Sequence, residues 1–382
     1  MAAINQKKPF KDPRLLHHID ALYNWKHGNH FSPVFVEISP VSYCNQKCKF
    51  CYTMELMTPK EKIPDEALYS IVDGLVEAGV KGLRFQGVGE PTLHTGLPKA
   101  INMAGSRDLS VSLTTNGVLL TPDFQDKCLE NLFSLKVSVI DSDAKRYTKF
   151  HRGPEAQWKR VVDNVKYAAN LKAKNGLDCI IHTTIYIEES NYKDLKGIVR
   201  FCKDIGFNVV TISHATYSER TPTPGLSTNE KYHGEEFLKN LSSEIQSLED
   251  DSFTVNIALL ETGGITVVGE KDQKNVFSDV YRFVDETQKI HCEGIHFFTI
   301  IDANGFVYPC WRYWGNTDYA YGNVIEQSFD EVWRSNRRHE INAKMKTECY
   351  SKKTCEVCAH SRINEQLLRI EKDNNPWVNF LT

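Results

Sequence analysis

The sequence predicts an α/β protein with two parts, a partial (β/α)6 barrel and a C-terminal domain made of a β-hairpin and a helix. Short apolar runs alternate with amphipathic helical patterns from about residue 34 to residue 214, and such alternation predicts a parallel sheet with right-handed crossovers. The length of 382 residues suits one α/β barrel plus an extension. Near the C-terminus, Asn304-Gly305 joins two β-rich runs, which is a strong hairpin signal.

The predicted barrel begins with the strand "VFVEIS" at residues 34–39. A helix is predicted over 64–79, because this segment has an early proline, acidic residues in its first turn and a glycine at its end. The other predicted strands cover residues 82–87, 109–116, 134–141, 178–187 and 208–215, and the other predicted helices cover residues 96–105, 122–131, 154–174 and 191–205. Six strands with five intervening helices make a partial or open barrel.

The sequence after the sixth strand is less regular. A helical period covers 229–248, and 252–259 has the composition of a further strand. Ser328 and Glu331 have capping-box spacing at the start of a helix that follows the hairpin. We therefore expect four regions, namely an N-terminal extension over 1–33, the barrel over 34–255, a linker over 256–290 and the C-terminal domain over 291–382.

Charge and hydropathy exclude several classes of protein. A formal net charge of -3 favours neither nucleic-acid binding nor binding to a membrane surface. The first residues lack the apolar core of a signal peptide, and no run approaches the ~20 apolar residues of a membrane helix. We expect a cytoplasmic protein without nucleic-acid or membrane partners.

The chain has 11 cysteines, most of them in two clusters near its ends. Cytosolic thiols stay reduced, so clustered cysteines indicate metal binding or catalysis rather than disulfides. We expect the isolated Cys128, Cys179 and Cys202 to be small buried apolar residues.

The first cluster is Cys44, Cys48 and Cys51, at C-x3-C-x2-C spacing directly after the first predicted strand. The loop therefore lies at the carboxyl end of a barrel strand, where active sites of such barrels are built. A structural zinc site takes four ligands, and a four-iron cluster takes one ligand per iron. Three thiolates would leave one iron open to an exchangeable ligand; the alternative is a zinc site with a distant fourth ligand.

Cys44-x3-Cys48-x2-Cys51, with Phe50 just before the last cysteine, resembles the signature of the radical S-adenosylmethionine (SAM) superfamily. The resemblance implies a [4Fe–4S] cluster whose open iron binds the amino and carboxylate groups of SAM. It further implies a 5′-deoxyadenosyl radical that abstracts hydrogen from a substrate, and an electron donor such as flavodoxin or ferredoxin. Phe50 is included among the expected cofactor-binding residues.

Three neighbouring strand ends supply the other expected SAM contacts. Gly87-Val-Gly89-Glu90-Pro follows strand two, where glycines allow a backbone to approach a ligand closely. The stretch is a looser form of the family's GGE-P motif, which implies that Glu90 meets the SAM amino group through neighbouring carbonyls or directly. By the same resemblance Asn116 faces the ribose or substrate, and Ser138 faces the carboxylate or ribose. The alternatives are a turn at Asn116 and a satisfied strand residue at Ser138.

Other polar residues near the barrel mouth have weaker signals. His182 and Thr184 share one face of strand five. We expect His182 to be a satisfied core histidine; the alternative is that one of the two residues contacts SAM or the substrate. The basic segment 141–153 is expected to be a solvated helix start; the alternative is contact with an anionic substrate group.

The second cluster flanks and follows the hairpin. Cys292 precedes the hairpin, Cys310 closes it, and Cys355-x2-Cys358 follows, so four thiolates are available for zinc or a four-iron cluster. The segment from "HCEGIHFFTIIDANGFVYPCW" to "CEVC" resembles the C-terminal extension of SPASM and twitch proteins. The resemblance implies that these four cysteines hold one auxiliary [4Fe–4S] cluster. Cys349 is left as a replacement ligand, a weak hydrogen-donor candidate or an idle residue.

We expect a radical SAM enzyme that oxidises or rearranges a small polar metabolite, such as a sugar or an aminocyclitol. The first alternative is modification of a ribosomally made peptide, disfavoured because the 43 residues before Cys44 leave no room for a leader-binding domain. The second alternative is a non-enzymatic iron–sulfur or zinc protein.

Overall fold

One large, mostly parallel sheet organises the molecule. The computed structural model describes residues 14–214, 235–261, 264–268 and 292–347, together with Ile363 and Leu367. Within these residues an 11-stranded sheet has the order β11-β10-β9-β1-β2-β3-β4-β5-β6-β7-β8. The strands are β1 (Phe35–Ile38), β2 (Gly82–Phe85), β3 (Ser110–Thr115), β4 (Ser134–Val137), β5 (Ile180–Ile187), β6 (Val209–His214), β7 (Thr254–Glu261), β8 (Gly264–Val268), β9 (Phe298–Ile301), β10 (Phe306–Tyr308) and β11 (Gly322–Asn323).

The first seven strands are parallel, each paired with the next along the chain. Along β5, the buried Ile181, Thr183 and Ile185 alternate with the half-buried His182 and Thr184. Alternate residues of a strand point to opposite faces, so one face packs against helices and the other lines an open interior. The α/β partial barrel expected from the sequence is confirmed.

Helices cover the outer face of this sheet. They are α1 (Ile19–Lys26), α2 (Asp65–Glu77), α3 (Leu97–Gly105), α4 (Pro122–Cys128), α5 (Ala144–His151), α6 (Ala156–Asn175), α7 (Leu195–Ile205), α8 (Glu235–Gln246), α9 (Phe329–Arg334) and α10 (Asn336–Thr347). In α2 the predicted signals hold, since Pro64 precedes the helix, Asp65 and Glu66 lie in its first turn, and Leu68 and Val72 are buried. No helix in the described ranges is long and apolar enough to cross a membrane.

The segment 141–153 differs from the expected solvated start of one helix. It contains a complete helix, α5, whose N-cap Asp143 accepts a hydrogen bond from the backbone N–H of Arg146 at 2.8 Å. The Arg146 guanidinium is held by Asp141 at 2.8 Å and by Asp194 at 2.7 Å. The separate helix was missed because its apolar residues are few and its length is only two turns.

The C-terminal hairpin continues the barrel sheet. β9 pairs in parallel with β1, from Phe35 opposite Phe298, and β10 returns antiparallel to β9. Asp302 Oδ1 accepts the backbone N–H groups of Asn304 and Phe306 at 2.9 Å each, and Gly305 has φ +84°. This confirms the turn predicted at Asn304-Gly305.

The predicted boundary at residue 255 falls inside β7, the further strand expected over 252–259. β7 pairs in parallel with β6 as far as Ser213 opposite Ala258, and then antiparallel with β8. The sheet therefore enters the segment 256–290 that was expected to be a linker.

A single large apolar core joins the barrel to the C-terminal segment. Trp333 is fully buried and its Nε1–H donates to the carbonyl oxygen of Phe31 at 2.8 Å. The isolated Cys128, Cys179 and Cys202 are buried, as predicted. The capping box of α9 is also present between Ser328 and Glu331.

Candidate active site

The cysteine loop follows β1 and is fastened by backbone hydrogen bonds to two other segments. The N–H of Glu90, from the loop after β2, donates to the carbonyl of Tyr43 at 2.9 Å. The N–H of Lys49 donates to the carbonyl of Phe150, near the end of α5, at 2.9 Å. Cys44, Cys48 and Cys51 are all half-buried on this loop. The sheet and α5 therefore fix the loop from two sides.

Cys44 faces N–H donors. The backbone N–H of Gln46 lies 3.4 Å from its Sγ, and the side-chain Nδ2 of Asn116 lies 3.8 Å from it. Burial raises the pKa of the Cys44 thiol to about 12, and the Glu90 carboxylate adds to this rise. The metal-ligating form of cysteine is the thiolate, and N–H donors stabilise that form.

Cys48 contacts a buried histidine that the sequence analysis missed. His151 Nδ1 lies 3.3 Å from Cys48 Sγ and 2.9 Å from Gln46 Oε1. The ring is buried, stacks on Tyr147 at a centroid distance of 4.1 Å, and meets the edge of Phe50 at 5.4 Å. Burial lowers the pKa of His151 to about 3, so the imidazole is neutral at physiological pH. Its signal in the sequence was absent because α5 itself was not predicted.

Cys51 and Phe50 face the interior of the barrel. Cys51 Sγ lies 3.4 Å from Thr53 Oγ1. The Phe50 ring packs against Tyr186 of β5 at 5.2 Å, besides its contact with His151. Phe50 thus connects the cysteine loop with a lining residue of the barrel, and contact with SAM stays a prediction.

Gly87 and Gly89 are required by protein contacts. A Cβ atom at Gly89 would lie 2.5 Å from the carbonyl oxygen of Tyr43 and 2.8 Å from that of Val41. A Cβ atom at Gly87 would lie 2.6 Å from both Ser39 Cβ and the ring of Trp314. In the structure the two glycines admit the cysteine loop and an aromatic ring of the C-terminal segment. The close approach of SAM to them stays a prediction.

The Glu90 carboxylate connects two loops. Its Oε1 accepts hydrogen bonds from Thr92 N at 3.1 Å, Thr92 Oγ1 at 2.6 Å and Thr115 Oγ1 at 2.6 Å, and its Oε2 accepts one from Asn116 N at 2.7 Å. Burial raises the pKa of Glu90, and these four donors oppose the rise. Glu90 therefore holds the ends of β2 and β3 together, which positions the loop that leads to Cys44.

Asn116 and Ser138 lie at the next two strand ends. Asn116 Nδ2 donates to Asn45 Oδ1 at 2.6 Å, and Asn116 Oδ1 accepts from Val118 N at 3.0 Å. The residue thus forms the expected turn and also holds the cysteine loop. Ser138 is half-buried, and its N–H donates to the carbonyl of Thr115 at 2.9 Å. Their contacts with SAM stay predictions.

The expected auxiliary site is partly described. Cys292 begins the segment that enters β9, and Cys310 follows β10. Because β9 and β10 pair antiparallel, Cys292 and Cys310 lie at the same end of the hairpin. Burial raises the pKa of Tyr321, and the charges of Cys310 and Cys292 raise it further. Cys349, Cys355 and Cys358 lie outside the described residues.

The donor set at the cysteine loop fits an iron–sulfur cluster better than a single ion. Among residues 14–214 and the other described ranges, no three His, Cys, Asp or Glu side chains converge as a single metal ion requires. A four-iron cluster instead takes one thiolate per iron. The three cysteines lie on one short loop, in which the N–H of Cys51 donates to the carbonyl of Cys48 at 3.2 Å. Burial raises the pKa of Cys48, and the charges of Cys44 and Cys51 raise it further.

Two family models match the chain. The radical SAM superfamily model matches residues 38–202, and an iron-sulfur cluster-binding domain model, SPASM, matches residues 292–359. The first contains Cys44, Cys48 and Cys51, and the second contains all five cysteines of the C-terminal cluster.

Curated relatives are distant. The tungsten-containing aldehyde ferredoxin oxidoreductase cofactor-modifying protein of Pyrococcus furiosus is 20% identical over 320 residues, which are 80% of this chain and 81% of that protein. GTP 3',8-cyclase of Listeria monocytogenes is 27% identical over 203 residues, which are 52% of this chain and 58% of the cyclase. This chain therefore spans somewhat more than half of the cyclase.

Solved structures share the fold. Streptococcus suis SuiB bound to precursor peptide SuiA has a TM-score of 0.64 at 16% identity, over 98% of this chain and 81% of SuiB. The enzyme anSMEcpe with bound AdoMet has a TM-score of 0.54 at 19% identity, over 90% of this chain and 92% of that one. The chain therefore carries a radical SAM domain followed by a SPASM iron–sulfur cluster-binding domain, and the cofactors of these domains are SAM and iron–sulfur clusters.

Proposed function

We propose that this radical SAM enzyme modifies a peptide. The observation that carries the proposal is the fold shared over 98% of the chain with SuiB, a protein solved with its precursor peptide. A second fold relative, anSMEcpe, was solved with bound AdoMet and a peptide, and it matches 87% of this chain with a TM-score of 0.55. This favours peptide modification, the alternative in our sequence analysis, over the small polar metabolite that we expected first.

When bound, the cluster and SAM supply one-electron reduction of SAM and abstraction of a hydrogen atom from the substrate. In our proposal Cys44, Cys48 and Cys51 would hold the cluster that leaves one iron for SAM. Glu90 and Asn116 would keep the loop rigid through the hydrogen bonds described above. Such support from surrounding residues is what holds ligands in productive geometry.

The barrel interior would receive the substrate. Tyr186 and Phe50 line it just below the cysteine loop, and their rings would shield the reacting carbon from water. Cys292 and Cys310, with Cys355 and Cys358, would hold the auxiliary cluster on the side of β9. Flavodoxin or ferredoxin as the electron donor, and the hydrogen-donor role of Cys349, stay predictions.

The proposal is tested with anaerobically reconstituted enzyme, dithionite and SAM. An extract of the source organism is divided by ultrafiltration into a peptide fraction and a small-molecule fraction. We expect only the peptide fraction to stimulate 5′-deoxyadenosine formation, and prior treatment of that fraction with a protease to abolish the stimulation. A mass change in one peptide would then identify the substrate.

A small metabolite is the second candidate. It is favoured by the match to GTP 3',8-cyclase and to a cofactor-modifying protein. Stimulation that passes the filter and survives the protease would support this candidate and contradict peptide modification.

A further inference from the structure

The inner face of the barrel carries four titratable side chains. Glu37, Arg84, Lys136 and His182 lie on β1, β2, β4 and β5, each between buried neighbours that pack on the helices. The strand register places Glu37 beside Arg84 and Lys136 beside His182. The four residues therefore form two neighbouring pairs inside the barrel.

The first pair brings side chains of opposite charge together. Arg84 Nη1 lies 3.1 Å from Glu37 Oε1. Glu37 is 3% exposed, and its Oε2 has no hydrogen-bond partner among the described residues. Burial raises the pKa of this carboxyl to about 7, against the opposing effect of Arg84. Near pH 7 the carboxyl is therefore partly protonated, and its charged form faces Arg84.

The second pair has an excess positive charge. The Lys136 side chain makes no hydrogen bond or ion pair with any other described residue. Burial and then the like charge of Arg84 lower its pKa to about 8, so the ammonium remains mostly charged at pH 7. His182 across the register is neutral, because burial, Lys136 and Arg84 together lower its pKa to about 3. His182 is half-buried on the inner face of the barrel, where a satisfied core histidine was expected from the sequence.

An enclosed charge normally has a counter-ion, since transfer of an unpaired charge from water is costly. Lys136 is half-buried, and its neighbours in β4, Leu135 and Val137, are buried apolar residues. No carboxylate of the described barrel interior faces it. Among the described residues Lys136 leaves one positive charge unbalanced, which one carboxylate would match, whereas a phosphate monoester carries about 1.5 to 2 negative charges.

We propose that Lys136 binds a carboxylate group of the substrate inside the barrel. This inference rests on the proposed function, in which an aspartate or glutamate side chain or the C-terminus of a peptide supplies the carboxylate. Lys136 precedes Ser138 by two positions, so its Cα lies ~7 Å further from the strand end than that of Ser138. Lys136 therefore lies further into the barrel than the strand ends where SAM is expected.

The first arm of the test measures binding of glutarate to the reconstituted holoenzyme with SAM present, by titration calorimetry. We expect Lys136→Met to weaken glutarate binding by at least about tenfold, the equivalent of one lost charge-assisted hydrogen bond. Lys136→Arg keeps the charge and is expected to keep most of the affinity. Lys159→Met is the matched control, because Lys159 is an exposed residue of α6 whose partner is Asp163 at 2.7 Å.

The second arm uses two synthetic peptide pools that differ only in having Glu or Gln at the same positions. We expect the Glu pool to stimulate 5′-deoxyadenosine formation more than the Gln pool, and Lys136→Met to remove this difference. One outcome separates the two proposals: neither pool stimulates 5′-deoxyadenosine formation, but glutarate binding still depends on Lys136. That result would support the carboxylate site and contradict peptide modification. Equal glutarate affinity in wild type and Lys136→Met, or weakened binding of SAM in place of glutarate, would overturn the inference.

Discussion

The buried charge of Lys136 lowers the free energy of unfolding. Its pKa is lowered to about 8 by burial and by Arg84, so the folded state binds the ammonium proton less tightly than the unfolded chain, where a lysine has a pKa of about 10.4. The charged form therefore destabilises the native state below about pH 8, and this cost disappears as pH rises through the unfolded value. Because the charged lysine destabilises the fold, we expect it to be kept for binding the substrate carboxylate.

We predict that Lys136→Met stabilises the protein at pH 7 by roughly 1–2 kcal/mol, after allowance for solvent screening in the open barrel. The gain is expected to shrink between about pH 8 and pH 10.4, where the wild-type lysine becomes neutral in both states. Urea unfolding of the two proteins across this pH range measures the difference. A gain that stays constant with pH would contradict the assigned cause.

Glu90 is the residue that holds two strand ends together. In Glu90→Gln one carboxylate oxygen becomes an NH2 group that faces donors from Thr115 and Thr92 or from Asn116. We predict a loss of about 1–3 kcal/mol in the free energy of unfolding, the usual cost of an unsatisfied buried polar group. Iron retention should fall as well, because the cysteine loop loses its support. Glu66→Gln on α2 is the control, and an equal effect in both variants would refute the role of Glu90.

Residue identities at the site were only partly predictable. The three cysteines were found because a fixed spacing on one loop is a local pattern. His151 and Lys136 were not found, because their roles depend on which helix and strands surround them. Glu90 was found because the resemblance implied contact with SAM, which stays a prediction. Its four hydrogen bonds to its own chain were not predicted.

At the scale of elements, the loops at the carboxyl ends of β1, β2 and β3 act as one assembly. Gly89 allows the second loop to lie against the first, at a φ of +107°. The sequence predicted these strands well, because the alternation of apolar residues and the glycines at the ends of elements are local patterns. It did not predict α5, a helix of two turns with few apolar residues. The contact of His151 in α5 with Cys48 was therefore missed.

Gly89→Ala separates packing from backbone strain. The added Cβ would lie 2.5 Å from the Tyr43 carbonyl, whereas at Gly79, with φ +78°, it would meet nothing within 4 Å. We predict that Gly79→Ala costs about 1–2 kcal/mol of stability from its left-handed backbone alone. Gly89→Ala should cost more and should also lower the iron bound after reconstitution. Equal iron content in the two variants would show that the loop contact is not needed for the cluster.

At the scale of the whole molecule, the C-terminal segment is joined to the barrel through the sheet and through the core. β9 continues the sheet beside β1, and the Trp314 ring lies against the space at Gly87. The hairpin could be predicted from Asn304-Gly305, but its pairing with β1 could not. A strand pairing across more than 250 residues of chain depends on tertiary packing that no local pattern encodes.

We predict that Trp333→Ala destabilises the barrel as well as the C-terminal segment, by about 3–5 kcal/mol as for other large buried aromatic residues. The physical reason is the shared core, in which Trp333 also donates to Phe31 ahead of β1. Unfolding followed by circular dichroism and by cysteine labelling should show one coincident transition at a lower urea midpoint. Loss of the C-terminal structure with an unchanged barrel transition would contradict a shared core.

The central claim is that Cys44, Cys48 and Cys51 hold a cluster with one iron left for SAM. The most direct test is electron paramagnetic resonance of the reduced protein with and without SAM, in a background where Cys292 and Cys310 are replaced by alanine. Addition of SAM is predicted to change the spectrum, and further replacement of Cys48 by alanine is predicted to remove that response. A cluster signal at these three cysteines that is identical with and without SAM would contradict the account.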